Sequence, residues 1–243
     1  RRVLPEDANR IQEIGELALE IPQATARFYP QGSMATHELG YVAADGHGRV
    51  GMEAVLDKDL LDPAKRAHPA VLSLDLRVQG ALEEELTKGM LATEAVGAAG
   101  IVLDVDTGEV LALASLPAFD PNRIDAAGQR NMFNRVTNQV YELGSTFKPL
   151  TVAAAIDAGV VTDLSRRYQA NRPLEIGGFQ IRDSHTIGAS LNVPEALIHS
   201  SNIVTAQIAD ALGGKALKRT MSDLGMDQRP FIELPARGFP IWA

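Results

Sequence analysis

The chain has 243 residues, 45% of them hydrophobic and 22% charged, which is typical of a folded globular protein and excludes a disordered or fibrous one. The formal net charge of -8 argues against a nucleic-acid partner, because such binding needs clustered Lys and Arg to displace counterions. Since there is no cysteine, disulfides, thiolate catalysis and sulfur-ligated metals are excluded. The apolar runs fall short of the roughly 18 residues that span a bilayer. We therefore expect any membrane anchor or targeting segment to lie outside these residues.

The first part of the chain has short mixed segments that predict a small α+β domain. Residues 41–43 and 52–56 have the composition of strands. Residues 61–69 are polar and include two prolines, which is typical of a connection between domains. We therefore predict one domain over residues 1–68 and a second over residues 69–243.

The second domain begins with a strand-like run at 71–74, and Asp75 then precedes apolar residues that recur every four positions. Two apolar runs follow, 101–103 and 110–114, and Gly108 between them indicates a hairpin. The rest of the chain is mainly helical. The predicted helices, with their glycine, proline and asparagine boundaries, are 145–158, 194–199, 203–212 and 215–224.

Ser145 and Lys148 form an S-x-x-K pattern at the start of the helix predicted after Gly144. Residues three apart share one helix face, so the hydroxyl and the ammonium group can meet there. A nucleophilic serine needs a nearby base, and Lys serves only when neutral, so its pKa must fall well below about 10.4. The apolar residues that follow favour burial, which has this effect. Alone the pattern is weak, because a solvated helix start explains it equally well.

Ser200, Ser201 and Asn202 lie between two predicted helices, in a turn that can project a hydroxyl and an amide together. A Ser hydroxyl can relay protons, and Asn offers both a donor and an acceptor to a peptide substrate. The alternative is an N-cap, in which Ser200 or Ser201 accepts from the first amides of the following helix. Without the Ser145/Lys148 pair, the N-cap would be the better interpretation.

Other short patterns favour structure over chemistry. Residues 46–51 match G-x-G-x-x-G, but the strand-like run after them indicates a turn between strands and not a dinucleotide site. Residues 104–106 have two aspartates, yet Gly108 stands where a third calcium ligand is expected. The five histidines lack metal-ligand spacing, and nothing couples one to Ser145 in a Ser-His-Asp triad.

Taken together, these motifs resemble the class B penicillin-binding proteins. The segment Y-E-L-G-S-T-F-K-P at 141–149 resembles their active-site block, and H-S-S-N-I at 199–203 resembles their second motif. The resemblance extends over nearly the whole chain. The further blocks are 27–32 and 39–41, similar to the pedestal domain, and 106–112 with 115–117 and Asn134-Arg135, similar to the transpeptidase domain.

The resemblance implies an α+β fold in which part of a pedestal domain precedes an incomplete transpeptidase domain, with helices packed on an antiparallel sheet. It implies that Ser145 attacks a D-Ala carbonyl of a peptidoglycan stem peptide and that β-lactams acylate the same serine. Lys148 would be the base and Ser200 a proton relay, while Asn202 would hydrogen-bond the substrate and Lys148. No cofactor or metal is implied.

The amino-acid sequence at residues 141–144 and 232–235 is more similar to that of the division-specific septal enzymes than to that of the elongation enzymes. The resemblance therefore implies a role in septal wall synthesis beside a glycan polymerase and other division proteins. It also implies anchoring in the bacterial inner membrane, with the enzyme on the periplasmic side.

The chain departs from the family pattern because it contains no K-T-G or K-S-G sequence after Asn202. In the family that strand holds the substrate and supplies an oxyanion donor, so we expect these 243 residues alone to be inactive and poorly stable. Two alternatives to a transpeptidase remain open. One is a β-lactamase or D,D-carboxypeptidase, which rapid penicillin hydrolysis would favour, and the other is a non-catalytic scaffold, which a lack of acylation would favour.

Overall fold

The computed structural model describes residues 5–16, 18–21, 27–65 and 68–241. They pack into two compact units, Arg1–Phe133 and Asn134–Ala243. Both units mix helices with antiparallel strands, which confirms the predicted α+β class. The predicted domain boundary after residue 68 stays a prediction, and residues 66 and 67 of the predicted connection lie outside the described residues.

In its described residues, the first unit combines one long helix, several short helices and two hairpins. Its helices are α1 (Pro5–Gln12), α2 (Thr36–Leu39), α3 (Gly51–Val55), α4 (Asp57–Leu61), α5 (Leu76–Ala92) and α6 (Ala126–Asn131). Its strands are β1 (Tyr41–Val42), β2 (Gly48–Val50), β3 (Ala98–Leu103) and β4 (Val110–Leu116), paired antiparallel as β1 with β2 and β3 with β4.

Helix α5 packs on the β3–β4 hairpin, and both elements confirm the sequence prediction. Asp75 is the N-cap of the helix, because its side chain accepts hydrogen bonds from the backbone amides of Arg77 and Val78. The fully buried Gln79 joins helix to sheet: its Oε1 accepts from Leu113 N at 2.9 Å and its Nε2 donates to Leu113 O at 2.7 Å. A side-chain amide therefore satisfies two backbone groups on the outer edge of β4.

Two predicted strands of the first unit are wrong. Residues 52–56 lie in helix α3 and its C-cap, because a short apolar run fits a buried helix turn as well as a strand. Residues 71–74 form no strand. Ser73 Oγ donates to Val110 O, and the amide of Asp75 donates to Leu111 O. The segment therefore lies beside β4 but is not paired with it as a strand.

Of the G-x-G-x-x-G segment, Gly46 lies in the turn between β1 and β2, residues 48–50 form β2, and Gly51 begins α3. The predicted turn between strands is therefore present, but it ends before β2 and the run after the segment is a helix. Gly51 has a φ of 62°, and a Cβ there would lie 2.5 Å from the backbone O of Glu38 and N of Gly40. Glycine is therefore needed at position 51, because the backbone around it packs too closely for a side chain. Gly46 has a φ of 86° but faces open space.

The second unit is mainly helical. Its helices are α7 (Arg135–Asn138), a 3₁₀ turn (Gly144–Phe147), α8 (Lys148–Asp157), α9 (Val193–Ile198), α10 (Asn202–Leu212) and α11 (Gly214–Asp223). Its strands are β5 (Tyr168–Gln169), β6 (Leu174–Ile176), β7 (Phe179–Ile181) and β8 (Ser190–Leu191), paired antiparallel as β5 with β8 and β6 with β7.

Helices α8, α9 and α10 enclose the core of the second unit. Val152, Ala155, Val193, Val204 and Ile208 are all at most 5% exposed within it. The four predicted helices of this region are confirmed to within a few residues at each end, whereas the short strands β5 to β8 were not predicted. Within the described ranges, no helix is both long and apolar enough to cross a bilayer.

Candidate active site

Ser145 and Lys148 lie where the 3₁₀ turn passes into helix α8. Gly144 opens the turn with a φ of 56°, a left-handed conformation that glycine adopts without strain. Ser145 is exposed, whereas Lys148 begins α8 and is only 9% exposed. The S-x-x-K spacing therefore presents a nucleophile to solvent and places an amine beneath it.

Three polar groups form a triangle at this position. Lys148 Nζ lies 3.2 Å from Ser145 Oγ and 2.8 Å from Ser200 Oγ, and Ser200 Oγ donates to Ser145 Oγ at 2.7 Å. Lys148 Nζ also donates to the backbone O of Ser200 at 2.5 Å. The structure thus brings together three of the four residues predicted from the sequence.

The electrostatics of Lys148 favour a base more readily deprotonated than a free lysine. Burial lowers its pKa below the usual value, because desolvation destabilises the ammonium form. The negative charge of Asp183 acts in the opposite direction and raises it. The net direction is downward, as a proton acceptor for Ser145 requires.

The two serines in the turn between α9 and α10, Ser200 and Ser201, make different contacts. Ser201 is the N-cap of α10, because its Oγ accepts from Val204 N at 3.1 Å. Ser200 has a φ of 55°, and its hydroxyl and carbonyl both contact Lys148. The N-cap interpretation therefore holds for Ser201, and the site interpretation fits the position of Ser200.

Asn202, the fourth predicted residue, begins α10 with an exposed side chain. Its amide nitrogen donates to Arg182 O at 2.9 Å. The predicted hydrogen bond between Asn202 and Lys148 is not formed among the described residues, because the amine is already engaged by Ser145 and Ser200. Contact of Asn202 with substrate stays a prediction.

Asp183, which follows β7, is the site residue that the sequence reasoning missed. Its Oδ1 accepts from the amides of Asn202 at 2.5 Å and Ile203 at 3.1 Å, and its Oδ2 accepts from Ser201 Oγ at 2.7 Å. The chain gives no local signal for this role, since Asp183 is 18 to 20 residues from its partners. Nowhere in the described ranges do three or more His, Asp or Glu side chains group as metal ligands.

Known proteins share this sequence and fold. The family described as penicillin binding protein transpeptidase domain matches residues 98–238, more than half of the chain. A probable peptidoglycan D,D-transpeptidase FtsI of Caulobacter vibrioides is 38% identical over 242 residues, which cover 98% of this chain and 40% of that protein. The peptidoglycan D,D-transpeptidase FtsI of Escherichia coli is 30% identical over 248 residues, which cover 93% of this chain and 42% of that protein.

A solved structure shows the same fold. The crystal structure of penicillin binding protein 3 from Mycobacterium tuberculosis, complexed with ampicillin, aligns with a TM-score of 0.77 and 26% identity, covering 88% of this chain and 49% of that one. The chain spans less than half the length of each of these three proteins. The matched segment includes Ser145, Lys148, Ser200 and Asn202. The chain therefore belongs to the class B penicillin-binding proteins and carries sequence of their transpeptidase domain.

Proposed function

We propose that the protein containing this chain is a peptidoglycan D,D-transpeptidase that acts through an acyl-serine intermediate on Ser145. The observation behind the proposal is the hydrogen-bonded triangle of Ser145, Lys148 and Ser200, in which the nucleophile is exposed and the amine buried. Relatives at 38% and 30% identity are named as such transpeptidases, which supports it.

In the acylation step, Ser145 Oγ attacks the carbonyl carbon of the penultimate D-Ala of a stem peptide. Neutral Lys148 takes the hydroxyl proton, directly or through Ser200, and the proton passes to the nitrogen of the terminal D-Ala as the peptide bond breaks. The backbone N–H of Ser145 is one donor to the oxyanion that develops. The products are an ester on Ser145 and free D-Ala.

In the transfer step, an amine of a neighbouring stem peptide attacks the ester carbonyl. Its proton returns through Lys148 and Ser200 to Ser145 Oγ, which leaves as the new peptide bond forms. The exposed amide of Asn202 is assigned to the peptide backbone of the substrate. The enzyme ends each cycle unchanged and two glycan strands are cross-linked.

β-Lactams are assigned to the same serine. Attack of Ser145 on the lactam carbonyl breaks the strained amide bond, and the ring nitrogen takes the proton that a D-Ala amine would otherwise receive. The ampicillin complex of the M. tuberculosis protein, which shares the fold, supports this assignment.

The test is intact-mass analysis of the full-length protein after incubation with benzylpenicillin. We expect one added penicillin mass, and peptide mapping that places it on Ser145. Ser145→Ala should abolish the adduct, whereas Ser222→Ala, which removes an exposed hydroxyl bonded to Asp227, should leave it unchanged. An adduct on Ser200, or none in the wild type, would contradict the proposal.

The reaction class is tested separately with stem-peptide substrates. A transpeptidase yields a cross-linked product when an acceptor amine is present. Release of D-Ala without cross-linking would indicate a D,D-carboxypeptidase, and rapid release of hydrolysed penicillin would indicate a β-lactamase. Failure of acylation together with retained binding to division proteins would indicate a scaffold.

The cellular role is proposed from the resemblance to septal enzymes, and the name of the C. vibrioides relative supports it. We assign the protein to the periplasmic side of the inner membrane, beside a glycan polymerase and other division proteins. A fluorescent fusion is expected to collect at the division site. A signal spread evenly along the cell wall would contradict the septal role.

A further inference from the structure

Asp183 lies outside the triangle of Ser145, Lys148 and Ser200 but binds the turn that contains Ser200. Its two carboxylate oxygens accept hydrogen bonds from a hydroxyl and two backbone amides, contributed by Ser201, Asn202 and Ile203. These donors are consecutive along the chain and include the first amides of α10, which have no partner within the helix. The carboxylate therefore fixes both the turn and the start of the helix.

The residue that this turn presents is conformationally unfavourable. Ser200 has a φ of 55°, in the left-handed region that few residues other than glycine occupy. Such a conformation costs about 1 kcal/mol or more and persists only when the surroundings enforce it. Here it directs both the hydroxyl and the carbonyl of Ser200 at Lys148 Nζ, at 2.8 and 2.5 Å. The amides of Ser200 and Ser201 are bonded to Leu197 O and Ala196 O, so Asp183 supplies the remaining bonds of the turn on the side of α10.

Asp183 also acts on the site through its charge. Among the described residues, it is the charged group whose field reaches Lys148; the other groups against the amine are the hydroxyls of Ser145 and Ser200 and a carbonyl. Its carboxylate favours the ammonium form and so raises the pKa of Lys148 against the effect of burial. The same side chain therefore orders the site and limits how readily the base loses its proton.

We propose that Asp183 is a positioning residue for acylation, whose carboxylate holds the Ser200–Asn202 turn so that Ser200 stays within reach of Ser145 and Lys148. The proposal rests on the proposed acyl-serine function. The Asp183 side chain contributes both hydrogen-bond geometry and negative charge. Substitutions that remove one contribution more than the other can distinguish the two.

The experiment measures acylation of the full-length protein by a fluorescent penicillin between about pH 6 and pH 10. Asp183→Asn removes the charge and weakens the bond to Ser201, so the rate constant should fall about 10- to 100-fold. The acid limb of the pH profile should move to lower pH, because the neutral form of Lys148 is then favoured. Asp183→Glu keeps the charge but shifts the oxygens, so its rate should fall while the acid limb stays where the wild type has it.

Asp163→Asn is the matched control. Asp163 likewise holds a turn in the second unit, accepting from the amide of Ser165 at 2.8 Å and from its hydroxyl at 2.6 Å. This variant should keep the wild-type rate and pH profile. The melting temperature of each variant is measured alongside, so that loss of folded protein is separated from loss of rate per folded molecule.

Wild-type rate and pH profile in Asp183→Asn would overturn the inference and leave the proposed function standing. So would a loss of rate in both Asp183 variants that merely follows the folded fraction, with the acid limb unmoved. If the wild type itself is not acylated, the proposed function fails, and the inference that rests on it fails too.

Discussion

At the scale of single residues, Glu38 has an environment that opposes its charge. It is 5% exposed, and neither carboxyl oxygen makes a hydrogen bond of normal geometry within the described residues. Burial, followed by the negative charge of Glu83, raises the pKa of Glu38 to about 8, and its own backbone amide offsets only part of this. The neutral form of the side chain is therefore favoured, because a desolvated carboxylate is costly.

This environment predicts a pH-dependent stability. Because folding raises the pKa of Glu38, its protonated side chain contributes fully to the stability of the folded state below about pH 4.5. This contribution is lost as the pH rises toward about 8. The free energy of unfolding therefore falls as the pH rises over that interval. Glu38→Gln should remove this dependence, which urea unfolding at pH 5 and pH 9 would measure.

The exposed Glu13 provides the control, since Glu13→Gln should retain the wild-type difference between the two pH values. A Glu38→Gln variant that loses as much stability as the wild type between pH 5 and pH 9 would show that another group is responsible.

At the scale of elements, the β1–β2 hairpin and α3 contain two glycines whose substitution would be opposed for different physical reasons. Gly51 combines a positive φ with backbone atoms at 2.5 Å from where a Cβ would lie, whereas Gly46 has a positive φ alone. Replacing Gly46 with alanine should cost about 1 to 2 kcal/mol for the left-handed conformation. Gly51→Ala should cost clearly more, because α2 and α3 must also move apart.

Denaturant unfolding of the two variants measures the difference directly. Each acts as the control for the other, since the substitution and the sign of φ are the same. Equal destabilisation would mean that the backbone around Gly51 relaxes without cost, and the close approach would then have no energetic weight.

Elements with local signals could be predicted from the sequence, and those that depend on distant partners could not. Asp75 caps the helix that it precedes, and Ser145 and Lys148 share a helical turn, so both features are contained in a few adjacent residues. The strand prediction for α3 is wrong because the five residues of this helix carry no decisive local signal, and the helix packs against both β2 and α2. Asp183 was missed because folding alone brings it to Ser201.

At the scale of the whole molecule, an expectation for activity follows from the absence of a K-T-G or K-S-G sequence within these 243 residues. The family resemblance implies that this strand forms one wall for the substrate and supplies one oxyanion donor, and the loss of one such donor alone costs about 10² to 10³ in rate. We expect a polypeptide of these 243 residues to react with fluorescent penicillin far more slowly than the full-length protein, and to unfold at a lower temperature. Comparable rates would show that the strand is dispensable for acylation.

The triangle at Ser145 joins segments that are far apart in the chain. Lys148 and Ser200 are 52 residues apart, and Ser145 and Ser200 are 55 apart. Closing a loop of this length has an entropic cost that the packing of α8 against α9 and α10 offsets, so we expect Ser200 to reach Ser145 and Lys148 only once these helices have docked. Penicillin labelling would therefore count only those molecules in which these helices have docked. During refolding, the increase of the covalent adduct would report when native tertiary contacts form. Helix content would not report this step, because helices can form before they dock.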